Sequence, residues 1–376
     1  MHFFNVDLHI GVIEDIKQIF RALGHEVTDW SISSHASVLG KETAKVDILT
    51  QDTWKSIDRE MCDAFYRRYE SELSAYDGFI VTHTPCFAML FERWKKPIIC
   101  VASTRYEHPF TNDRRAWEEF NGFLREKIDE GMLIPVANNK YDSAYAEYFT
   151  NRTWSVIPSI CEYTNAPYTG TRAESICFSK LKTLPSIRGL VTKDRVFRET
   201  LQNRIRRRIG FPTYRPGYTW EDRSSFRCAV WIPYNSSIMS IFEMYTSGIP
   251  MLFPSLSFLE ELYRDYGDQG VLSELSFNHV YGMQPGSVID CDDLDPNNYV
   301  NGKVMMHWAK KSDFYDLDNM SGLGYFSSFE ELKHLLDSID LCQMRQTMIE
   351  HNPIRKLRSY EAWQTVLRKV AERGQA

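Results

Sequence analysis

No stretch of this 376-residue sequence approaches the roughly 20 consecutive apolar residues that a membrane-spanning helix needs, so the chain is expected to be soluble. A basic leader is also missing: MHFFNVDLHIGVIEDI has its apolar residues interrupted by Asn5, Asp7 and His9, the pattern of a first strand rather than of a secretory signal. Cysteines are present but unpatterned. Cys62, Cys86, Cys100, Cys161, Cys177, Cys228, Cys291 and Cys342 show neither CxxC zinc spacing nor the density of a disulfide scaffold, which leaves reduced thiols in a cytoplasmic compartment as the expectation. Without that secretory context, the glycosylation sequons at Asn151, Asn235 and Asn319 are set aside. An excess of cations is lacking too: the net charge of -6 argues against a partner bound by neutralising phosphates, so nucleic acid is not expected. The run Arg204, Arg206, Arg207 and Arg208 is a local exception and reads as a solvated helix face. No short-period repeat occurs.

What is there is an ordinary globular composition, 43% hydrophobic and 25% charged, in a chain long enough for two domains of roughly 150 to 200 residues each. Residues 3–10 (FFNVDLHI) predict a strand ended by a glycine turn at Gly11, Val12 to Leu23 has helical apolar spacing, and Glu26 to Ile32 alternates as a second strand. That unit opens a parallel α/β sheet. The rhythm continues through a helix over 57–75, strand 78–82, a short helix over 88–94, strand 97–102, a helix over 115–130, strand 133–137, a helix over 142–149 and strand 154–157. Residues 161–173 are rich in Thr, Tyr, Asn, Pro and Gly and read as a linker. The second half restarts with strand 175–178, a basic helix over 193–209, strand 228–232, a helix over 236–247 and strand 251–253. The predicted fold class is therefore α/β, with two Rossmann-like doubly wound domains whose strand ends face a central cleft, where such sheets bind ligands. The first spans 1–160, the second 174–355, and a C-terminal helix covers 356–376.

The segment from Asn235 to Pro254 describes a helix with an acid, Glu243, late in it, ended by Gly248 and led by Pro250 back into a strand. A helix N-terminus at Asn235, Ser236 and Ser237 would offer unpaired N–H groups to phosphate or sugar oxygens. Glu243 could accept both hydroxyls of a ribose, or be an ordinary helix carboxylate. Two cations, Lys180 and Arg188, flank the start of the second half, and a histidine, His83, ends the strand GFIVT.

Together these segments resemble the B-fold glycosyltransferases, in particular the large retaining family that includes bacterial mannosyltransferases and sucrose synthases. The resemblance implies transfer of a sugar, with retention at the anomeric carbon, from a nucleotide-diphosphate donor to a glycan or other hydroxyl-bearing acceptor, without a cofactor or metal. Glu243 and Gly248-Ile-Pro250 match the family's second glutamate and its small-Gly-Pro turn; the first glutamate falls on Asn235, which can hydrogen-bond a sugar but cannot supply negative charge. Lys180 and Arg188 inherit the pair of cations that neutralises the diphosphate, with the alternative that both are surface cations. His83 matches the family's strand-end histidine near the transferred sugar, and Gly11 its N-terminal loop at the donor phosphate. In an inverting relative His9 would be the general base. Residues 356–376 resemble the closing helix that crosses back onto the first domain. A nucleotide-sugar epimerase and a degenerate, non-catalytic nucleotide- or glycan-binding module remain as alternatives on the same architecture. Asp293-Leu-Asp295 and Asp316-Leu-Asp318 would hold a metal in the competing single-domain transferase fold.

Overall fold

A computed structural model describes residues 1–33, 35–103, 106–110, 113–164, 166–181, 184–192, 219–273 and 302–373. The basic helix expected over 193–209 and the Asp293-Leu-Asp295 motif lie outside these residues. The chain forms two compact units: Met1–Tyr163 with Ser276–Asp313 and Lys356–Ala376, and Thr164–Leu275 with Phe314–Arg355.

The first unit is built on a six-stranded sheet in the order β2-β1-β3-β4-β5-β6, parallel throughout. Its strands are β1 (His2–Asp7), β2 (Glu26–Ser31), β3 (Gly78–His83), β4 (Ile98–Ala102), β5 (Leu133–Ala137) and β6 (Ser155–Val156). The central strands are continuous apolar runs because a parallel sheet is covered on both faces; β3 and β4 are buried almost end to end. Helix α1 (Ile10–Ala22) buries its apolar face, Ile13, Ile16, Ile19 and Phe20 among them. Carboxylate and amide side chains start the next helices by accepting backbone N–H groups: Asp58 for α2 (Arg59–Leu73), Asp113 for α4 (Arg114–Asp129) and Asn139 for α5 (Lys140–Thr150). Between α2 and α4 lies α3 (Ala88–Phe91), flanked by single 3-10 turns. Trp117 and Tyr106 are fully buried and pack edge-on at 5.5 Å in the core.

The second unit carries a five-stranded parallel sheet in the order β11-β10-β9-β7-β8. Its strands are β7 (Ser175–Phe178), β8 (Leu190–Thr192), β9 (Ala229–Trp231), β10 (Met251–Pro254) and β11 (Gly324–Phe326). One face is an aromatic stack in which Phe178 lies on Trp231 at 4.5 Å and Phe253 on Phe314 at 4.9 Å. Thr219 and Asp222 form a capping box for α6 (Trp220–Ser225). After β9 comes α7 (Met239–Thr246), ended as the sequence implies: Gly248 N–H donates to the Tyr245 carbonyl and Ile249 N–H to the Met244 carbonyl, the paired bonds of a glycine-terminated helix. The unit continues with α8 (Leu256–Tyr266) after β10, and α10 (Phe329–Ser338) follows β11. In the first unit's remaining segment, α9 (Gly302–Ala309) packs Trp308 against Tyr141, Tyr145 and Tyr148. The last helix, α11 (Leu341–Arg373), belongs to the second unit up to Arg355 and to the first from Lys356 onward.

Both sheets share one winding. In the first, β2 lies on one side of β1 while β3 and the later strands lie on the other; in the second, β8 lies on one side of β7 while β9, β10 and β11 lie on the other. The chain therefore reverses direction across the sheet between β1 and β3, and again between β7 and β9. At such a reversal the connections leaving the two strands diverge to opposite faces, which opens a crevice at their carboxyl ends.

Candidate functional site

The crevice of the first sheet carries two histidines. His83 is the last residue of β3, and His9 caps α1 just beyond β1; their rings lie 4.9 Å apart, tilted by 45°. His83 sits at φ 62°, and the Thr84 N–H donates to the Thr82 carbonyl at 2.6 Å, so the histidine occupies the centre of a three-residue turn. A side chain at positive φ in so tight a turn is strained by roughly 1–3 kcal/mol. Its Nδ1–H donates to the Ser103 carbonyl at 2.8 Å, an acceptor only, which places the proton of the neutral ring on Nδ1 and its lone pair on Nε2.

Two sequence expectations are corrected at this point. His9 is not strand-borne: β1 ends at Asp7, whose carboxylate accepts the His9 N–H at 2.6 Å and turns the chain before the helix. Gly11 is not in a turn that ends the strand but is a buried residue in the first turn of α1. A Cβ there would come within 2.9 Å of the Tyr163 hydroxyl and 3.3 Å of His9 Cε1, so the missing side chain makes room for the His9 ring.

Asp7 itself is a site residue that sequence reasoning did not single out. It is fully buried, and burial, then the charge of Asp29, push its carboxyl up to about 7 against the backbone bond from His9 and the Ser31 hydroxyl. Its Oδ2, like Thr82 Oγ1, Thr84 Oγ1 and Ser103 Oγ, is buried with no hydrogen-bond partner among the described residues. These oxygens lie at the carboxyl ends of β1, β3 and β4. The only sequence signal for Asp7 was an acid at the end of an apolar strand.

The crevice of the second sheet holds Lys180, two residues past β7, and the turn of Asn235, Ser236 and Ser237 past β9. Lys180 Nζ lies 4.2 Å above the Tyr234 ring, which ties the two segments together. They are closed from one side by Gly270 to Leu272: Leu272 N–H donates to the Pro233 carbonyl at 2.9 Å, and a Cβ on Gly270 would come within 2.8 Å of Lys180 Cβ. The Asn235 turn is not the first turn of the helix, which begins at Met239 after an Ile238 cap. Asn235 Oδ1 instead accepts the Ser236 N–H at 2.7 Å, the side-chain-to-backbone competition that keeps Asn and Ser out of helices. All three residues are buried.

The two other expected donor-binding residues, Arg188 and Glu243, lie just before β8 and within α7. Arg188 precedes β8, and the pairing of Ser175 with Leu190 puts it at the amino end of the sheet, whereas Lys180 lies past its carboxyl end; the register does not bring them together. Glu243, in the middle of α7, is buried with Arg223 of α6 3.7 Å away. Arg223 in turn lies over the Trp220 ring at 4.3 Å. Among the described residues no group of three or more His, Cys, Asp or Glu is placed to hold a metal ion, and no helix is long and apolar enough to cross a membrane. In Asp316-Leu-Asp318, the Asp316 carbonyl accepts the N–H groups of Asn319 and Met320.

No protein-family model matches the sequence, and no curated protein matches it. Among solved structures the chain is similar to the glycosyltransferase SnogD from Streptomyces nogalater, with 12% identity, 98% of each chain covered and a TM-score of 0.42. It is also similar to S. aureus MnaA in a co-structure with UDP, at 12% identity over 83% of this chain and 91% of that one, TM-score 0.39. The spinosyn rhamnosyltransferase SpnG is matched at 12% identity over 80% of this chain and 99% of that one, TM-score 0.38. The α/β class itself stands on the two parallel sheets and their shared winding.

Proposed function

We propose that this chain transfers a sugar from a nucleotide-diphosphate donor to a hydroxyl-bearing acceptor. The observation that carries the reading is positional: in each sheet, the residues whose chemistry the transfer requires lie at the point where the winding reverses. In the first unit that point holds a histidine pair; in the second it holds a cation and a buried turn of amide and hydroxyl groups.

Each residue is assigned a chemical task. Lys180 neutralises the charge that develops on the departing diphosphate, and Asn235, Ser236 and Ser237 hydrogen-bond the donor's sugar and phosphate oxygens. His83, with Nδ1–H anchored on the Ser103 carbonyl, takes the proton of the acceptor hydroxyl on Nε2, and His9 lines the same crevice. Glu243 is assigned to its pairing with Arg223, which fixes α7 against α6, in place of the ribose contact that the family resemblance implies. The same chemistry favours inversion at the anomeric carbon over the retention that the resemblance implies. A histidine base supports single displacement, whereas the retaining course places a glutamate where this chain has Asn235.

The test is a panel of UDP-, GDP-, ADP- and dTDP-sugars followed by thermal shift and by release of free nucleotide diphosphate. Selective binding stabilises the fold by mass action, about 2.7 kcal/mol at a hundredfold excess over Kd. One donor class should raise Tm and be cleaved. Conversion of the donor sugar without nucleotide release would make the chain an epimerase, and binding without any turnover would make it a recognition module.

A further inference from the structure

Asp7 has no task in the transfer just described, yet it is tied to the residue next to the reaction. Its side chain is fully buried at the end of β1, one carboxylate oxygen accepts the His9 N–H at 2.6 Å, and the other is buried without a partner among the described residues. Asparagine, or an apolar side chain, would end the strand without placing a titratable group there.

The surroundings explain what the carboxyl responds to. Asp29 on β2 and Glu14 on α1 both disfavour its charge, while the Ser31 hydroxyl and the His9 N–H favour it. Those two acids are themselves held by cations, Lys17 bridging Glu14 and Asp29 and Lys41 reaching Glu14. From β3 the facing groups are Thr82, whose hydroxyl is also unpartnered, and His83, whose ring contacts His9. An N–H bonded to a carboxylate is held more strongly and shorter than one bonded to a neutral acid. The geometry of the turn leading into α1 therefore depends on whether Asp7 carries its proton.

We propose that Asp7 is a positioning residue for the histidine pair: one of its oxygens fixes the turn that carries His9, and a change of charge on the carboxyl shifts that turn and the ring it carries. Asp7 acts through His9 and touches neither donor nor acceptor. The importance of the pair for catalysis rests on the proposed sugar transfer; the coupling of Asp7 to the turn does not.

The experiment uses the ligand-free full chain. The backbone amide of residue 9 is followed by NMR through a pH titration in the wild type, in Asp7→Asn and in His9→Gln. The expected result is an amide inflection near neutral pH in the wild type, its loss in Asp7→Asn, and its persistence in His9→Gln, where the ring cannot be its source. An inflection that survives in Asp7→Asn and disappears in His9→Gln would overturn the proposal, as would an amide with no inflection in the wild type. Asp7→Asn keeps the shape and one acceptor oxygen, so the titration is read on a folded chain. Turnover measured separately on whichever nucleotide sugar binds should show the pH profile of kcat shifted in Asp7→Asn with donor KM unchanged. A chain that turns over no donor but retains the Asp7-dependent inflection would sink the sugar-transfer reading alone.

Discussion

Two single residues carry measurable consequences of the first sheet's geometry. His83 holds a positive φ that glycine would adopt without strain, so His83→Gly should be more stable than His83→Ala by about 1 kcal/mol although both lose the bond to the Ser103 carbonyl. Equal melting temperatures for the two variants would show that the turn is unstrained. Asp7 makes the fold sensitive to pH in an unusual direction. Its carboxyl rises from an ordinary value of 3.8 to about 7, so the folded state keeps a proton that the unfolded state has released between those values. Stability contributed by that proton is full below about pH 4 and is lost as pH rises to about 7, by roughly 4 kcal/mol for a shift of this size. Urea melts at a series of pH values should show this decline in the wild type and a flatter curve in Asp7→Asn. Identical slopes would mean that Asp7 titrates normally.

At the scale of elements, what was legible in the sequence is what periodicity and turn chemistry record. The run GFIVT leading to His83 reads as a buried strand with a polar end, and Gly248 with Ile249 ends α7 through the bonds that its sequence implies. Arg188 shows where proximity along the chain misleads. A connection between neighbouring parallel strands must return across the sheet, so a residue just before β8 sits at the end opposite to one just after β7. The late start of α7 has a similar cause: Asn235 satisfies a backbone N–H with its own side chain, a local competition that helical spacing does not register. Asp7 escaped notice because its state depends on Asp29 and Glu14, brought beside it only when β2 and α1 pack on β1. The segment Gly270 to Leu272 was equally silent in sequence. Gly270 has φ 133° and lies against the Lys180 backbone, so Gly270→Ala should destabilise the second unit by about 1–3 kcal/mol and weaken nucleotide binding by displacing Lys180. Thermal melts with and without nucleotide would register both effects; an unchanged affinity would separate this segment from the site.

For the whole molecule, the repeated winding of the two sheets gives each unit one reversal point, and the proposed chemistry divides between them: proton transfer in the first, charge neutralisation in the second. With Lys180 in that second role, turnover in excess chelator should equal turnover with added Mn²⁺; a requirement for the metal would move the diphosphate chemistry to carboxylates such as those of Asp316-Leu-Asp318. Nucleotide-diphosphate affinity and kcat measured side by side in Lys180→Ala and His83→Ala separate the two roles. An interaction made mainly in the transition state is lost from kcat, whereas one with the bound nucleotide is lost from affinity as well. Lys180→Ala should weaken nucleotide binding about tenfold or more and lower turnover, while His83→Ala should lower kcat by about ten- to a thousandfold with nucleotide affinity nearly intact. Equal losses of affinity in both variants, or full activity in His83→Ala, would contradict this division of roles.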